Sequence, residues 1–327
     1  MKAAVLDGIN LPLQLRTVET PILSDSHAIV RLHAAALNHR DLWIQKGQYA
    51  GLKFPIILGS DGAGVVAESD DASWVGKEVI INPSLDWGAQ EKAQQKSYRI
   101  LGLPDSGTFA EFVKIPVENL YENPTHLSWT EAAALPLAGL TAYRALFSRA
   151  NLQPRERVLI TGIGGGVALF GLQFALAIGA QVWVTSSSDA KLHKAISLGA
   201  KGGANYQHSN WVSELKSIGF DVILDSAGGE GFEKLIDLAE SGGRIAFVGA
   251  TNGAPSSFPI QRVFWKQLSI FGSTMGSPKN FSQMLDFVNT NRVIPIVSDV
   301  LSLSSAEHAL RKMNDVRQFG KIVLHIN

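Results

Sequence analysis

Cysteine is missing from all 327 residues. Its absence removes disulfides, thiolate nucleophiles and every cysteine-based zinc or iron–sulfur site. Net charge is missing as well, because 29 Lys and Arg are matched by 29 Asp and Glu. No field is left to steer a phosphate backbone or an anionic lipid surface, so neither nucleic acid nor membrane is expected as a partner. Nowhere do about eighteen apolar residues run uninterrupted, and no apolar run follows the single Lys of MKAAVLDGIN. Neither a transmembrane helix nor a signal peptide is expected, and the cytoplasm is the expected compartment. What is plentiful is apolar: 46% of residues are hydrophobic, enough for a sizeable core in one large domain or two.

The first third reads as short β-type runs broken by Gly, Pro and Asp: 28–32, 64–67, 78–82 and 109–115. From Ser128 the texture changes. Ser128-Trp129-Thr130-Glu131 has the form of a capping box and predicts a helix running toward Phe147. Apolar strands then alternate with amphipathic helices: 158–161 and 167–178, 182–185 and 189–198, 222–224 and 232–239, then 244–248. That alternation predicts a parallel sheet with right-handed crossovers and helices on both faces. A further strand is predicted at 268–272, helices at 278–289 and 306–313, and a last strand at 321–325. The polar, Gln- and Lys-rich segment Ser84–Ser106 reads as a surface excursion.

After the strand Val158–Thr161 comes Gly162-Ile163-Gly164-Gly165-Gly166-Val167-Ala168, and a helix opens at once. Glycines there let the backbone turn sharply and approach a pyrophosphate seated on the N–H groups of the helix N-terminus. A glycine run alone is weak evidence; set between strand and helix in a repeated array, it predicts a dinucleotide site. The tip of the second strand selects between the two nicotinamide dinucleotides, since an acid there bonds the ribose hydroxyls and repels a 2′-phosphate. Here the tip is Ser186, followed by Ser187 and, on the next helix, Lys191, so NADPH is predicted over NADH. Asp189 is expected to cap that helix. Two readings stand for Tyr206: a cover for the adenosine, or packing at a strand end. The strand ends Asp225–Gly229 and Val248-Gly249-Ala250-Thr251-Asn252 supply small residues where open α/β sheets bind ligands. Residues 271–275, Ser273 among them, are expected to close over the carboxamide.

The glycine turn, Leu137-Ala138-Gly139-Leu140-Thr141-Ala142-Tyr143, Gly59-Ser60-Asp61-Gly62-Ala63-Gly64-Val65-Val66 and the closing Phe319-Gly320-Lys321-Ile322-Val323-Leu324 together resemble the medium-chain dehydrogenase/reductase superfamily over nearly the whole chain. The resemblance implies an α/β fold: a doubly wound parallel Rossmann sheet that binds NADP, residues 124–273, and a GroES-like, mostly-β catalytic domain, residues 1–123 and 274–327. It implies a homodimer formed through the outer strands near 268–272, and it puts Thr141 near the nicotinamide, bonded to its amide or its ribose. Alcohol dehydrogenases of the superfamily hold catalytic zinc with Cys, His and Cys; those positions are Asn38, Ser60 and Leu137 here, and none is a usual zinc ligand. The four-cysteine structural zinc lobe corresponds to 84–106 and has no cysteine. The chain resembles the zinc-independent quinone oxidoreductase branch, whose Asn-x-x-Asp-x-x-x-x-x-Gly-x-Tyr pattern is met by Asn38, Asp41, Gly47 and Tyr49. It departs from the pattern at Trp43, where several members carry a second aromatic hydroxyl, and at Arg40, where zinc enzymes often carry a Ser or Thr proton relay.

Hydride transfer asks the protein to hold the nicotinamide against an electrophilic carbon and to stabilise charge on an oxygen. Without zinc as Lewis acid, a simple carbonyl is a poor acceptor. A quinone or α,β-unsaturated carbonyl spreads the charge through conjugation, so neutral donors suffice. The amide of Asn38 and the phenol of Tyr49 are expected to polarise the substrate oxygen; Tyr49 or solvent delivers the proton. Asp41 is expected to hold the loop by bonding backbone or a basic side chain, and His39 to lie exposed or toward the pyrophosphate. The expected activity is NADPH-dependent reduction of a quinone or enone. The alternatives are an enoyl-thioester reductase or a non-catalytic NADPH-binding regulator.

Overall fold

In a computed structural model that describes residues Met1–Asn327, the long strand His27–Ala36 organises one of two units, Met1–Leu140 with Gly276–Asn327. Its apolar residues are buried almost without alternation (His27, Arg31 and His33 excepted) because it is paired along both edges. Asp61–Ser69, Phe112–Pro116 and Lys321–His325 all join it antiparallel. The chain's last strand therefore completes the sheet begun near its start, and Val297–Ser302 extends it in parallel. Gln14–Thr17, Lys2–Leu6 and Ile56–Ile57 form a smaller antiparallel sheet. Leu6, Leu32, Leu37, Ile44, Leu58 and Phe109 share the core beneath.

Three expectations change here. The capping box forms, with the Ser128 side chain accepting from Glu131 N–H and the Glu131 carboxylate accepting from Ser128 N–H at 2.8 Å. Its helix, however, ends at Ala134, and a second helix begins at Pro136, followed by a π-helical turn Arg144–Arg149. Pro136 has no N–H to continue the first helix and suits the first position of the next. The first helix also belongs to the β-rich unit, which continues to Leu140 and not only to the predicted 123. The Trp129 ring stacks on His33 of the central strand at 4.7 Å. Finally, 84–106 is a surface excursion in its middle, where residues 88–97 are exposed as expected, but its base is ordered: Ser84–Leu85 pairs with Arg99–Ile100, Trp87 is buried, and Arg99 is ion-paired with Asp86 and Asp105.

The second unit, Thr141–Met275, is built on the predicted alternation. Its six strands lie in the order Gly202–Asn205, Gln181–Ser186, Arg157–Ile160, Phe220–Asp225, Ala239–Phe247, Ser269–Gly272, every pair parallel. Strands three, two, one, four, five, six in sequence is the order of a doubly wound dinucleotide fold, and its switch point lies between the strand before the glycine turn and its neighbour Phe220–Asp225. Leu159, Phe220, Ile223, Ile236 and Ile245 pack one face, and Trp183 meets Phe220 edge-on at 5.8 Å. Phe220→Ala is expected to lower the unfolding free energy of this unit by about 3–5 kcal/mol, read as an earlier denaturant midpoint by circular dichroism.

Candidate functional site

In the second unit, the residues predicted to hold a dinucleotide gather at the carboxyl ends of the strands. Gly162 and Gly164 adopt φ of +67° and +119°, a region open to glycine and strained for other residues. The helix Gly166–Ala177 follows, with Gly165 at its cap; a glycine has no side chain to occupy the helix's first N–H groups. A Cβ on Gly165 would meet nothing closer than 3.9 Å. The turn is thus a cradle of backbone, fit for a pyrophosphate. Val167 lies in the helix's first turn.

The second strand's tip reaches the same place, since Ile163 N–H donates to Thr185 O at 2.8 Å. Ser186 is buried and its hydroxyl accepts from Ser188 N–H at 3.2 Å, whereas Ser187 is exposed. Lys191 lies over the turn: a Cβ built on Gly164 would come within 3.2 Å of its Nζ. Burial, and then Lys194, holds the Lys191 ammonium below the usual lysine range. Asp189 does not cap its helix. Ser188 occupies the cap position, and the Asp189 carboxylate, in the first turn, accepts from Asn205 Nδ2 at 2.8 Å. Tyr206 N–H donates to Ser186 O and its side chain is 46% exposed, beside the strand tip rather than packed in a core.

Val248, Gly249 and Ala250 follow the fifth strand, where Val248 N–H donates to Asp225 O. Ser273 N–H donates to Phe247 O, and its buried hydroxyl has no protein partner. Thr141 is buried, with its hydroxyl 3.9 Å from Met275 Sδ. One organising pair escaped sequence reading. Thr161 Oγ1 donates to Asp225 Oδ1 at 2.6 Å, and Asp225 Oδ2 accepts from Gly228 N–H at 2.9 Å, which shapes the loop after the fourth strand. An acid at a strand's carboxyl end was the available signal.

In the first unit, LNHRDLWIQKGQY is a helix more than a loop: His39–Gln45 is helical, with Asn38 at its cap. Asp41 accepts from Asn38 N–H at 2.8 Å, holding the segment through a backbone group. The Asn38 amide is gripped from both ends, its Nδ2 donating to Asp61 Oδ2 at 2.9 Å and its Oδ1 accepting from Lys321 Nζ at 2.6 Å. One of its two N–H donors is therefore spent on Asp61 rather than free for a substrate. Lys321, itself buried, also donates to Leu37 O at 2.7 Å and pairs with Asp61 at 3.1 Å. Asp61 accepts in addition from Leu137 N–H at 2.8 Å. His39 is half-buried, which counters the exposed one of its two expected placements; burial, then Lys321 and Lys46, holds its imidazole below the usual range.

Arg40, expected only as a departure from the pattern, is central. Its Nη1 donates to Ser60 Oγ at 2.7 Å and to Leu101 O at 2.8 Å. Its guanidinium lies 5.0 Å from the centroid of the Tyr49 ring, with Nε 3.5 Å from the phenol oxygen. Lys321, Asp61 and Arg40 were legible only as charged residues placed in apolar or small-residue surroundings.

Burial pushes Asp61 above the ordinary carboxylate range, against Lys321, Asn38 and Leu137 N–H. Burial also pushes Asp41 up to about 6, with Arg40 foremost among the opposing influences. An acid whose folded pKa exceeds its unfolded value holds an extra proton in the native state between the two, so its contribution to stability falls as pH rises through that interval. Wild-type stability is expected to fall relative to that of Asp41→Asn by on the order of 2 kcal/mol between pH 4 and pH 7, measured as urea midpoints of both proteins across that range.

Two family models match this chain: the alcohol dehydrogenase GroES-like domain over residues 24–125 and the zinc-binding dehydrogenase over residues 166–290. The zinc-type alcohol dehydrogenase-like protein YogA of Leptosphaeria maculans is 34% identical, across 96% of this chain and 95% of that protein. An acryloyl-coenzyme A reductase of Metallosphaera sedula is 27% identical across 99% of both. The crystal structure of an NAD-dependent alcohol dehydrogenase superposes with a TM-score of 0.94 at 37% identity, across the full length of both chains.

The zinc of the family model's description finds no matching donors. Asn38, Ser60 and Leu137 are not a zinc set, no group of three or more His, Asp or Glu is arranged to hold a metal ion, and the Arg40 guanidinium is bonded to Ser60 itself. By its two domain matches, its full-length relatives and its fold, the chain belongs to the medium-chain dehydrogenase/reductase superfamily, as an oxidoreductase with a dinucleotide-binding dehydrogenase fold.

Proposed function

We propose that this oxidoreductase works without a metal and reduces a carbon–carbon double bond conjugated to a carbonyl, with NADPH as reductant. An enoyl thioester is the favoured acceptor and a quinone the second. One observation carries the reading: the residues at the positions where zinc-dependent relatives hold their metal are Asn38, Ser60 and Leu137, and the Arg40 guanidinium is bonded to Ser60. Such a site can stabilise a delocalised anion by hydrogen bonds and fixed charge, but has no ligand set to polarise an isolated ketone through a metal. Similarity to an acryloyl-coenzyme A reductase over the full length supports the thioester.

The turn of Gly162, Gly164, Gly165, Gly166 and Val167, with Thr141, Val248, Gly249, Ala250 and Ser273 around it, would hold the dinucleotide, which when bound supplies a hydride. Ser186 where an acid would select NADH, Ser187 exposed beside it and Lys191 over the turn support NADPH. Tyr206, exposed at the same strand tip, suits the adenosine. In the first unit Asn38 and Tyr49 orient the acceptor oxygen, and Asp41 fixes the cap that presents Asn38. The proton that completes the reduction comes from Tyr49 or water.

No helix is long and apolar enough to cross a membrane, and a small acceptor met in the cytoplasm fits this picture. A homodimer is the proposed assembly. The strand Ser269–Gly272 ends its sheet and pairs with a strand on one side only, and the neighbouring helix Ile260–Trp265 buries none of its residues, leaving Phe264 and Trp265 exposed.

Anaerobic NADPH oxidation is expected with 2-enoyl thioesters and, more slowly, with enones or quinones, and not with saturated aldehydes. Turnover of aldehydes alone, or stoichiometric zinc that survives chelation, would overturn the proposal. Ser186→Asp is expected to shift preference toward NADH by at least tenfold in kcat/KM, since it adds an acid to the ribose position; an unchanged NADPH preference would place the selecting residue elsewhere.

A further inference from the structure

The buried polar cluster of the first unit has an inside and a rim. Asp41, Ser60 and Asp61 are wholly inaccessible, whereas Asn38 and Arg40 each keep 7% of their surface and Tyr49 is half-buried. Of the cluster's two cations, Lys321 is satisfied by Asp61, Asn38 and Leu37 O. Arg40 has no carboxylate within ion-pair distance; its bonds go to a hydroxyl, two carbonyls and a phenol. Asp41 opposes its charge only through space.

A guanidinium has five N–H donors. Two are used at short range, on Ser60 and Leu101 O. Two more reach Ile100 O and Tyr49 Oη only at 3.5 Å, and the remaining Nη2 donor has no acceptor. The group is nevertheless fixed. Gly102, at φ +94°, brings its backbone so close that a Cβ there would lie 3.2 Å from Arg40 Nη1 and 2.6 Å from Gly59 O. The Tyr49 ring flanks the plane. A fixed, partly desolvated cation with a spare donor at the rim is suited to an oxygen that becomes negative.

We propose that Arg40 is a catalytic residue that holds the acceptor's carbonyl oxygen and stabilises the charge that collects on it. The inference rests on the reading of the chain as a reductase of conjugated carbonyls. In that reaction the β-carbon receives hydride, with its electron pair, from a reduced nicotinamide, which is thereby oxidised. The electrons of the double bond move to the carbonyl oxygen as an enolate, and a proton from Tyr49 or water then forms the C–H bond at the α-carbon. Arg40 cannot be the proton source, because a guanidinium does not deprotonate in proteins; its part is charge stabilisation alone. The same chemistry predicts affinity for a planar carboxylate, which resembles the enolate in charge and shape.

The test compares wild type with Arg40→Met and Arg40→Lys in two measurements. One is NADPH oxidation with a 2-enoyl thioester. The other is calorimetric binding of crotonate, a carboxylate with no group to accept turnover at the thioester. Arg40→Met is expected to lose 10²–10³-fold in kcat with KM changed less than threefold, and to bind crotonate at least tenfold more weakly, with NADPH affinity unchanged. Arg40→Lys restores part of both. A rise in KM at constant kcat, or crotonate affinity equal to wild type, would overturn the role of Arg40 while leaving the reductase reading intact. A wild type inert toward every conjugated acceptor would sink the reductase reading, and the catalytic role with it. Should Arg40→Met fail to fold by circular dichroism, Arg40→Gln decides by the same two readouts, because kcat and crotonate affinity equal to wild type in that uncharged variant would leave nothing for the guanidinium charge to do.

Discussion

The ammonium of Lys321 ties together three segments that are far apart in sequence. It comes from the chain's last strand, yet it donates to Leu37 O and Asn38 Oδ1 and pairs with Asp61. Taking a lysine and an aspartate out of water costs several kcal/mol per ion, and such a pair is tolerated only when nearly every donor and acceptor is used. That condition is met: three acceptors surround Nζ, and Asp61 also accepts from Asn38 Nδ2 and Leu137 N–H. Removing either partner would leave an uncompensated buried charge, so strand, helix cap and the start of the helix at Pro136 are fixed as a set. The cap also fixes the start of the helix that carries Arg40 and Asp41.

Much of the nucleotide unit is readable along the sequence because its signals are local. Apolar runs of strand length, a glycine turn and an amphipathic stretch recur in order, and each parallel strand lies beside one that differs from it by a single crossover. The capping box at Ser128 is local too, and it forms. What local pattern missed depends on distant partners. Ser84–Ser106 looks unstructured until Ser84 Oγ is seen to donate to Gly276 O, and Ser277 Oγ to Glu91; those bonds join residues nearly two hundred positions apart. The helix at His39–Gln45 was hidden because it is short and its cap is made of residues whose side chains suggest chemistry. The fate of the Asn38 amide could not be read from the loop, since both its partners, Asp61 and Lys321, belong to other strands. Ser186 shows the reverse case. Its place at the strand tip is legible by counting, but its burial and its bond to Ser188 N–H are not.

The two acids of the cluster are balanced differently, and the difference bears on what the site can hold. Asp61 is surrounded by a cation and two N–H donors. Asp41 accepts one backbone N–H on Oδ2 while its Oδ1 has no partner, and it faces the Arg40 charge only at a distance. The guanidinium field is accordingly little consumed by its neighbours and remains available at the rim. Two like unit charges 4 Å apart repel by about 4 kcal/mol at an effective dielectric of 20, more for a divalent ion, and Ser60 already accepts from Arg40 while donating to Leu101 O. A metal drawn to Ser60 would have to break both bonds and sit against the guanidinium. In this chain Ser60 and Arg40 are thus engaged with each other, and the positive charge beside Ser60 is a guanidinium held in place by covalent geometry and by its bonds to Ser60 and Leu101 O.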